Sequence, residues 1–162
     1  MKLICMILTF CMLFSGCQAA PAETKATIPG DISEFSFSLP ERYTFVEDSV
    51  NSLSILKDGE SIGGLVLTGL DISCLEDTGS IDVHRYIDSL GPMPLICEYI
   101  IMQGGDFLAV SVAVTDPDTD IRTESSHRLF ELEGRCFDLW FARDVISNEE
   151  SYSILMSICN TV

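Results

Sequence analysis

Residues 13–17, Leu-Phe-Ser-Gly-Cys, have the residue types that suit covalent attachment of lipid to a cysteine. Small residues lie directly before Cys17, and an apolar run over residues 3–14 leads up to it. The run has the length of a signal-peptide core and is shorter than the roughly 20 residues that span a bilayer. The pattern predicts a lipoprotein signal peptide over residues 1–16 and a diacylglyceryl group on Cys17. An ordinary secretory signal, cut after Ala19 or Ala20 so that Cys17 is discarded, is the alternative.

The two histidines are the side chains best suited to general-base chemistry, because histidine exchanges a proton near neutral pH. Nucleophilic catalysis would need a serine or cysteine within hydrogen-bond reach of His84 or His127, and the sequence alone does not place one there. The chain contains no GxSxG, HExxH or paired-carboxylate motif, so we expect no enzyme. His84 is expected to pair with Asp88 one helical turn later, and His127 is expected at the edge of a sheet.

An acidic stretch between two predicted strands has carboxylates at alternate positions, a spacing that can direct several oxygens at one calcium ion. The candidate ligands are Asp116, Asp118, Asp120 and Glu124. Ile121 stands where a calcium loop needs glycine for its sharp turn, and His127 stands where the bidentate glutamate belongs. We therefore expect a solvated hairpin loop, without a metal ion or any other cofactor.

Four cysteines follow Cys17, namely Cys74, Cys97, Cys136 and Cys159. An even number outside the cytoplasm permits disulfides, with three possible pairings if all four take part. Their spacing contains no CxxC motif, which disfavours a zinc site. Each cysteine also has apolar neighbours and fits a small buried side chain, so both alternatives stay open.

The only tryptophan, Trp140, is the candidate residue for contact with a partner. Aromatic side chains contribute strongly to the binding energy of interfaces. The alternative is a place in the core under a helix, because Phe137, Leu139 and Phe141 leave few positions in the same strand for solvent.

The charge of the chain limits its partners. The sequence has 25 acidic and 9 basic residues and a formal net charge of −16 at pH 7. Such a surface is repelled by nucleic acid and by anionic lipid head groups, so neither is an expected partner. The acids are distributed along the whole chain, which indicates a solvated surface.

The chain divides into an export signal, a linker and one domain. Residues 17–33 are small, polar and interrupted by prolines, which predicts a lipidated cysteine followed by a flexible linker. Residues 34–162 have the length of a single domain. Their pattern predicts three or four strands, a helix, four strands and a helix, with short turns between strands. We therefore predict an α+β domain with an antiparallel sheet of about 6–8 strands covered by helices.

Local signals define several of these elements. Asp58-Gly59 predicts a two-residue hairpin turn, and the adjacent glycines of the next strand predict a bulge or a close backbone approach. Ser80 is expected to cap the first helix, whereas Ser147 and Glu150 form a predicted capping box for the last one. The expected buried stripes are Val83, Ile87 and Leu90 in the first helix, and Ile154, Leu155 and Ile158 in the last.

A second hairpin is predicted around Gly134-Arg135. The expected opposite pairs are Leu132 with Phe137, Phe130 with Leu139, and Glu131 with Asp138, while Leu129 lies near Trp140 on the other face.

Three segments resemble the PsbP-like α/β/α sandwich, and more narrowly small uncharacterised lipoproteins of Firmicutes. They are Phe37-x-Leu39-Pro40 followed by an aromatic residue, the Lys-Asp-Gly-x-x-Ile-Gly-Gly hairpin that starts at Lys57, and Phe-Asp-Leu-Trp-Phe at residues 137–141 followed by the helix Glu-Glu-x-x-x-Ile-Leu-x-Ser-Ile. The likeness covers roughly residues 34–160. It implies a non-catalytic accessory or interaction module and brings no catalytic residues to this chain.

These observations lead to one expectation of function and two alternatives. We expect a domain anchored by Cys17 to the extracytoplasmic face of the cell membrane, which binds an envelope protein or a small ligand without turnover. The first alternative is a sensory or regulatory ectodomain partnered with a transmembrane protein. The second is a membrane-associated hydrolase, which would need His84 or His127 beside a serine, cysteine or aspartate.

Overall fold

Seven antiparallel strands of the computed structural model form one sheet, and two α-helices accompany it, which confirms the predicted α+β class. The structure describes residues 24–27, 36–90 and 96–159. The strands in these ranges are β1 (Thr24–Thr27), β2 (Ser36–Leu39), β3 (Tyr43–Ser49), β4 (Ser52–Lys57), β5 (Glu60–Leu67), β6 (Ile96–Gln103), β7 (Phe107–Thr115), β8 (Arg122–Leu132) and β9 (Arg135–Ala142). The helices are α1 (Ile81–Asp88) and α2 (Asn148–Cys159), and a 3₁₀ helix spans Ile72–Glu76.

The order across the sheet is β3-β4-β5-β9-β8-β7-β6. Two groups of consecutive strands, β3 to β5 and β6 to β9, join where β5 pairs antiparallel with β9. The 3₁₀ helix and α1 carry the chain from β5 to the far edge at β6. Strands β8 and β9 therefore lie inside the sheet, with a hydrogen-bonded neighbour on each side.

Each face of the sheet has its own apolar cluster, because successive side chains of a strand point to opposite faces. On the α1 face, Val83 and Ile87 pack with Leu108 and Leu129. On the α2 face, the cluster combines side chains of α2, of β2 and of the central strands. Its largest fully buried members are Phe37, Phe130, Phe137 and Phe141.

The Asp58-Gly59 turn and the glycine pair of β5 are confirmed. Asp58 and Gly59 have φ values of 54° and 88°, and a two-residue turn joins β4 to β5. The pairing of these strands shifts register after Ile55, which marks a bulge. A Cβ atom at Gly63 would lie 2.2 Å from the carbonyl oxygen of Trp140, so the backbones also approach closely there.

The predicted register of the β8–β9 hairpin is wrong by two residues. The turn lies at Glu133-Gly134, where both residues have positive φ, and Arg135 already belongs to β9. The Glu131 side chain accepts a hydrogen bond from the Gly134 N–H at 2.7 Å and supports this turn. The observed opposite pairs are Phe130 with Phe137, Leu132 with Arg135, Glu131 with Cys136 and Leu129 with Asp138. Because the register differs by an even number of residues, each side chain still points to the face of the sheet that was predicted for it.

Helix α1 is shorter than its predicted apolar stripe. Val83 and Ile87 are buried as expected, and Ser80 occupies the N-cap position, although its side chain makes no capping hydrogen bond. Leu90 is 37% exposed, because the helix ends at Asp88 and the next turn no longer points it at the sheet.

The capping box of α2 is confirmed. The Ser147 N–H donates to Glu150 Oε2 at 3.1 Å, and the Glu150 N–H donates to Ser147 Oγ at 3.1 Å. The N–H and the hydroxyl of Ser147 both donate to the Glu150 carboxylate, which favours its ionised form and lowers the pKa of Glu150. The predicted stripe of this helix, Ile154, Leu155 and Ile158, is buried.

The predicted signal peptide and Cys17 lie outside the described residues. Within the predicted linker, Thr24–Thr27 form strand β1, which pairs with β2. Four residues of that segment therefore have regular structure.

We expect replacement of Ser147 by alanine to lower the free energy of unfolding by about 1 kcal/mol, because the first turn of α2 loses its side-chain cap. Urea unfolding followed by circular dichroism measures the difference. Ser153→Ala is the matched control, because Ser153 lies exposed within the same helix. Equal loss of stability in both variants would contradict the role of the capping box.

Candidate functional site

Four polar side chains on the α1 face form a continuous chain of hydrogen bonds. The Tyr86 hydroxyl donates to Asp138 Oδ2 at 2.8 Å. His127 Nδ1 lies 2.8 Å from the same oxygen, and His127 Nε2 lies 2.8 Å from Ser125 Oγ. The chain therefore runs from α1 through β9 and along β8, and it ends at a serine hydroxyl.

Strand periodicity brings these groups together. Ser125 and His127 are two residues apart on β8, so both side chains point to the α1 face. His127 pairs directly with Trp140, and Asp138 is the diagonal neighbour on β9. Tyr86 reaches Asp138 from α1, which covers this part of the sheet.

With Asp138 ionised and His127 neutral, the hydrogen bonds of this chain have one consistent direction. A carboxylate only accepts hydrogen bonds, so Asp138 takes one from the Tyr86 hydroxyl and one from His127 Nδ1. In the neutral imidazole, Nε2 is then the acceptor. The Ser125 hydroxyl consequently donates to His127 Nε2.

Burial shields the middle of the network from water. His127 is 6% exposed and Asp138 is 0% exposed, whereas Ser125 and Tyr86 are partly exposed. Burial is the main cause that raises the pKa of Tyr86, and the negative charge of Asp138 raises it further. Tyr86 therefore keeps its proton and stays a donor to Asp138.

A groove of about 530 Å³ opens beside the network, with mostly apolar walls. Val66, Leu90 and Val112 contribute to these walls, Ser125 supplies a partly exposed hydroxyl, and the buried Asp138 lies directly behind the wall. The Trp140 ring stacks on the His127 ring, with 6.2 Å between ring centroids and 21° between planes. Trp140 is thus neither fully buried core nor a fully exposed anchor, but a half-buried wall of the groove.

One oxygen of the buried carboxylate is unpaired. Asp138 Oδ2 accepts two hydrogen bonds, but Asp138 Oδ1 has no hydrogen-bond partner within the described part of the chain. A buried polar atom without a partner costs about 1–3 kcal/mol. Asp138 is among the residues around the groove, so a ligand whose donor reaches Oδ1 would supply the missing hydrogen bond.

The histidines do not lie where the sequence predicts them. His127 was expected at a sheet edge, but it lies in the middle of β8, which has a neighbouring strand on each side. His84 was expected to pair with Asp88, but its Nδ1 lies 2.7 Å from the Tyr99 hydroxyl on β6. Only His127 has serine and aspartate partners.

Two of the four acidic candidates for calcium, Asp116 and Glu124, are engaged with protein groups, whereas Asp118 and Asp120 are exposed in the loop. Asp116 Oδ1 accepts hydrogen bonds from the N–H groups of Asp118 and Thr119, and these lower the pKa of Asp116. Glu124 lies on β8 rather than in the loop, and its carboxylate pairs with two arginines. No group of three or more potential metal ligands occurs among the described side chains.

Two of the four cysteines carry free, buried thiols. Cys74 and Cys136 belong to the α1-face cluster, and burial raises the pKa of Cys136. Both fit the predicted role of small apolar side chains. The side chains of Cys97 and Cys159 lie outside the described part of the structure.

A second cavity, of about 750 Å³, borders the N-terminal end of α2 and the exposed face of β6 to β8. Arg122 pairs there with Glu98 at 2.8 Å, and Arg143 pairs with Glu124. The arginines of this second cavity are paired with carboxylates and therefore offer little free charge to a ligand. The groove at Asp138 is the stronger candidate site.

No protein-family model, curated protein or solved structure matches this chain. The resemblance to PsbP-like lipoproteins therefore stays a prediction. None of the described helices is long and apolar enough to cross a membrane.

Ser125 and Asp138 are not among the site residues that the sequence predicts. Asp138 was placed opposite Glu131 in the shifted register, where a carboxylate would face another acid. Ser125 lies in a polar stretch of β8 that has no apolar alternation and was assigned to the acidic loop. Two signals in the sequence point to these residues. The spacing Ser-x-His puts Ser125 and His127 on one face of any strand. Asp138 is the only acid within the apolar segment Phe-Asp-Leu-Trp-Phe.

We expect Tyr86→Phe to lower the free energy of unfolding at pH 7 by about 1–3 kcal/mol, because buried Asp138 loses a donor. The loss should shrink above about pH 10, the ordinary pKa of tyrosine. Above this pH, the unfolded wild-type chain releases the Tyr86 proton, whereas the native protein retains it. Rising pH therefore destabilises the wild type. The variant has no titrating group at residue 86 and escapes this effect.

Urea unfolding at pH 7 and above pH 10 measures both effects. The control is Tyr152→Phe, because Tyr152 is half exposed on α2. A difference between Tyr86→Phe and wild type that stays constant with pH would contradict the assigned donor.

Proposed function

We propose that this chain is a lipid-anchored module on the extracytoplasmic face of the cell membrane and that it binds a small amphipathic ligand in the groove beside Asp138. The unpaired Oδ1 of Asp138, buried at the wall of an apolar groove, is the observation that carries this proposal. Ligand pockets are commonly apolar with a few polar groups that set the orientation.

The chemistry of the walls defines the ligand class. Apolar side chains favour a small hydrocarbon body, which the groove of about 530 Å³ can accommodate. Asp138 Oδ1 favours an ammonium, hydroxyl or amide N–H group. The formal net charge of −16 raises the local concentration of cations and repels anions. The proposed ligand is therefore neutral or cationic.

The membrane location is supported by residues 1–17, whose apolar run and Leu-Phe-Ser-Gly-Cys segment suit lipoprotein processing. Two acyl chains give stable membrane anchoring, whereas one gives marginal binding. An envelope protein that delivers or senses the ligand fits the same location.

Replacement of Cys17 by serine should abolish incorporation of labelled palmitate and should release the protein from membranes. The measurement is labelling and fractionation of bacterial cells that express the full chain. Cys11→Ser is the matched control, because Cys11 lies within the predicted signal peptide and should leave labelling unchanged. Label that persists in Cys17→Ser, or cytosolic wild-type protein, would rule out lipidation at this position.

Trp140 reports directly on the groove, since it is the only tryptophan of the chain. We expect saturable changes in tryptophan fluorescence when cyclohexylmethylamine or cyclohexylmethanol is added to the full chain in lipid nanodiscs. Cyclohexanecarboxylate should cause no saturable change, because it brings a second negative charge to Asp138.

Asp138→Asn should reduce the preference for the amine over the alcohol, because the variant lacks the anionic acceptor. Asp106→Asn removes one negative charge from an exposed turn and is the matched control. Fluorescence that responds to none of the three probes, or equally to the carboxylate, would contradict the proposed site.

A further inference from the structure

We propose that Ser125 is a nucleophile activated by His127 and that the groove hydrolyses small neutral or cationic carboxylic esters. This inference rests on the groove being a ligand site, as proposed above. It goes beyond binding, because it assigns a reaction to the same residues.

The atoms are arranged in the order that nucleophilic catalysis by serine requires. Ser125 Oγ lies 2.8 Å from His127 Nε2, and His127 Nδ1 lies 2.8 Å from Asp138 Oδ2. In this arrangement the imidazole is a general base for the hydroxyl, and the carboxylate holds the imidazole in the required tautomer. Ser125 and His127 are the proposed catalytic residues, and Asp138 is a positioning residue.

Exposure of the three groups suits these roles. Ser125 is partly exposed and lines the groove, so an ester can approach its hydroxyl. His127 and Asp138 are buried, so bulk water does not compete for their hydrogen bond. The Tyr86 hydroxyl donates to Asp138 Oδ2 and helps to hold the carboxylate in place.

The reaction needs no group beyond the ester and water. Ser125 Oγ attacks the carbonyl carbon, and its proton moves to His127 Nε2. The bond between the carbonyl carbon and the alkoxy oxygen breaks, and the alcohol leaves with that proton. Water, deprotonated by the same nitrogen, then attacks the acyl-serine. The carboxylic acid is released and the Ser125 hydroxyl is restored.

The sheet limits the rate of this reaction. Strands β8 and β9 are paired on both sides, so their backbone N–H groups are committed to neighbouring strands. They are not available to stabilise the negative oxygen of the tetrahedral intermediate. Because one such donor contributes about 10²–10³-fold in rate, we expect slow turnover. Covalent labelling of Ser125 is therefore a more sensitive measurement than turnover.

The alternative is a buried network with a purely structural role. Such a network would stabilise the α1 face but would not make one serine reactive. A neutral phosphorylating reagent, diisopropyl fluorophosphate, separates the two roles because it reacts with activated serines. Attack by Ser125 Oγ would break the P–F bond, release fluoride and leave a covalent adduct.

The experiment treats the full chain in nanodiscs with this reagent and follows intact mass and peptide mapping. We expect one adduct, located on Ser125. Ser125→Ala should abolish it, and His127→Ala should slow labelling at least 100-fold. Ser126→Ala is the matched control, because Ser126 lies on the opposite face of β8 and should label at the wild-type rate.

Asp138→Asn tests the positioning role separately. This variant should lose labelling rate by about 10²–10⁴-fold, because the amide no longer enforces the tautomer, and Asp138→Glu should recover part of that rate because it restores a carboxylate. A purely structural role would not make the labelling rate follow the carboxylate in this way.

The outcomes distinguish the two proposals. Saturable probe binding without any adduct on Ser125 overturns the hydrolase inference and leaves the binding site in place. Absence of both probe binding and the adduct overturns both. An adduct that forms equally fast in His127→Ala also overturns the inference, because Ser125 would then react without its base.

Discussion

Burial of the Asp138 carboxylate is the constraint on which the α1 face depends. A charge removed from water is costly unless hydrogen-bond donors replace the water. Two donors replace it: the Tyr86 hydroxyl on α1 and His127 Nδ1 on the neighbouring strand β8. Tyr86 and His127 therefore compensate one buried group together, and removal of either donor leaves Asp138 with one hydrogen bond fewer.

The groove depends on small or missing side chains around this group. Ala142 lies opposite Ser125, and its methyl group leaves the serine hydroxyl accessible. Gly64 lies opposite Trp140, and a Cβ atom at this glycine would come within 3.0 Å of the indole nitrogen. The indole therefore packs flat against β5 and forms a wall. Because α1 ends at Asp88, the helix does not fill the remaining space.

The elements were predictable because their signals are local, whereas the site was not. The hairpin turn and the capping box each depend on a few neighbouring residues. Asp58 and Gly59 have positive φ in the turn, and Ser147 and Glu150 exchange hydrogen bonds in the capping box. The contact between His127 and Asp138 instead depends on the register of β8 and β9, where a two-residue error moves Asp138 away from its partner. The polar start of β8 also lacks the apolar alternation by which strands are recognised, since its α1-face side chains line a groove.

The fold does not require the polar network. Directly beside it, Leu108, Val110 and Leu129 occupy equivalent positions on the same face and pack against α1 as apolar side chains. Replacement of a buried ionic group by well-packed apolar residues is often neutral or stabilising. The network therefore costs stability that apolar residues at Ser125, His127 and Asp138 would avoid, and the unpaired Asp138 Oδ1 adds to that cost. The proposed ligand would offset this cost, because its donor would complete the hydrogen bonds that the described residues leave unmade.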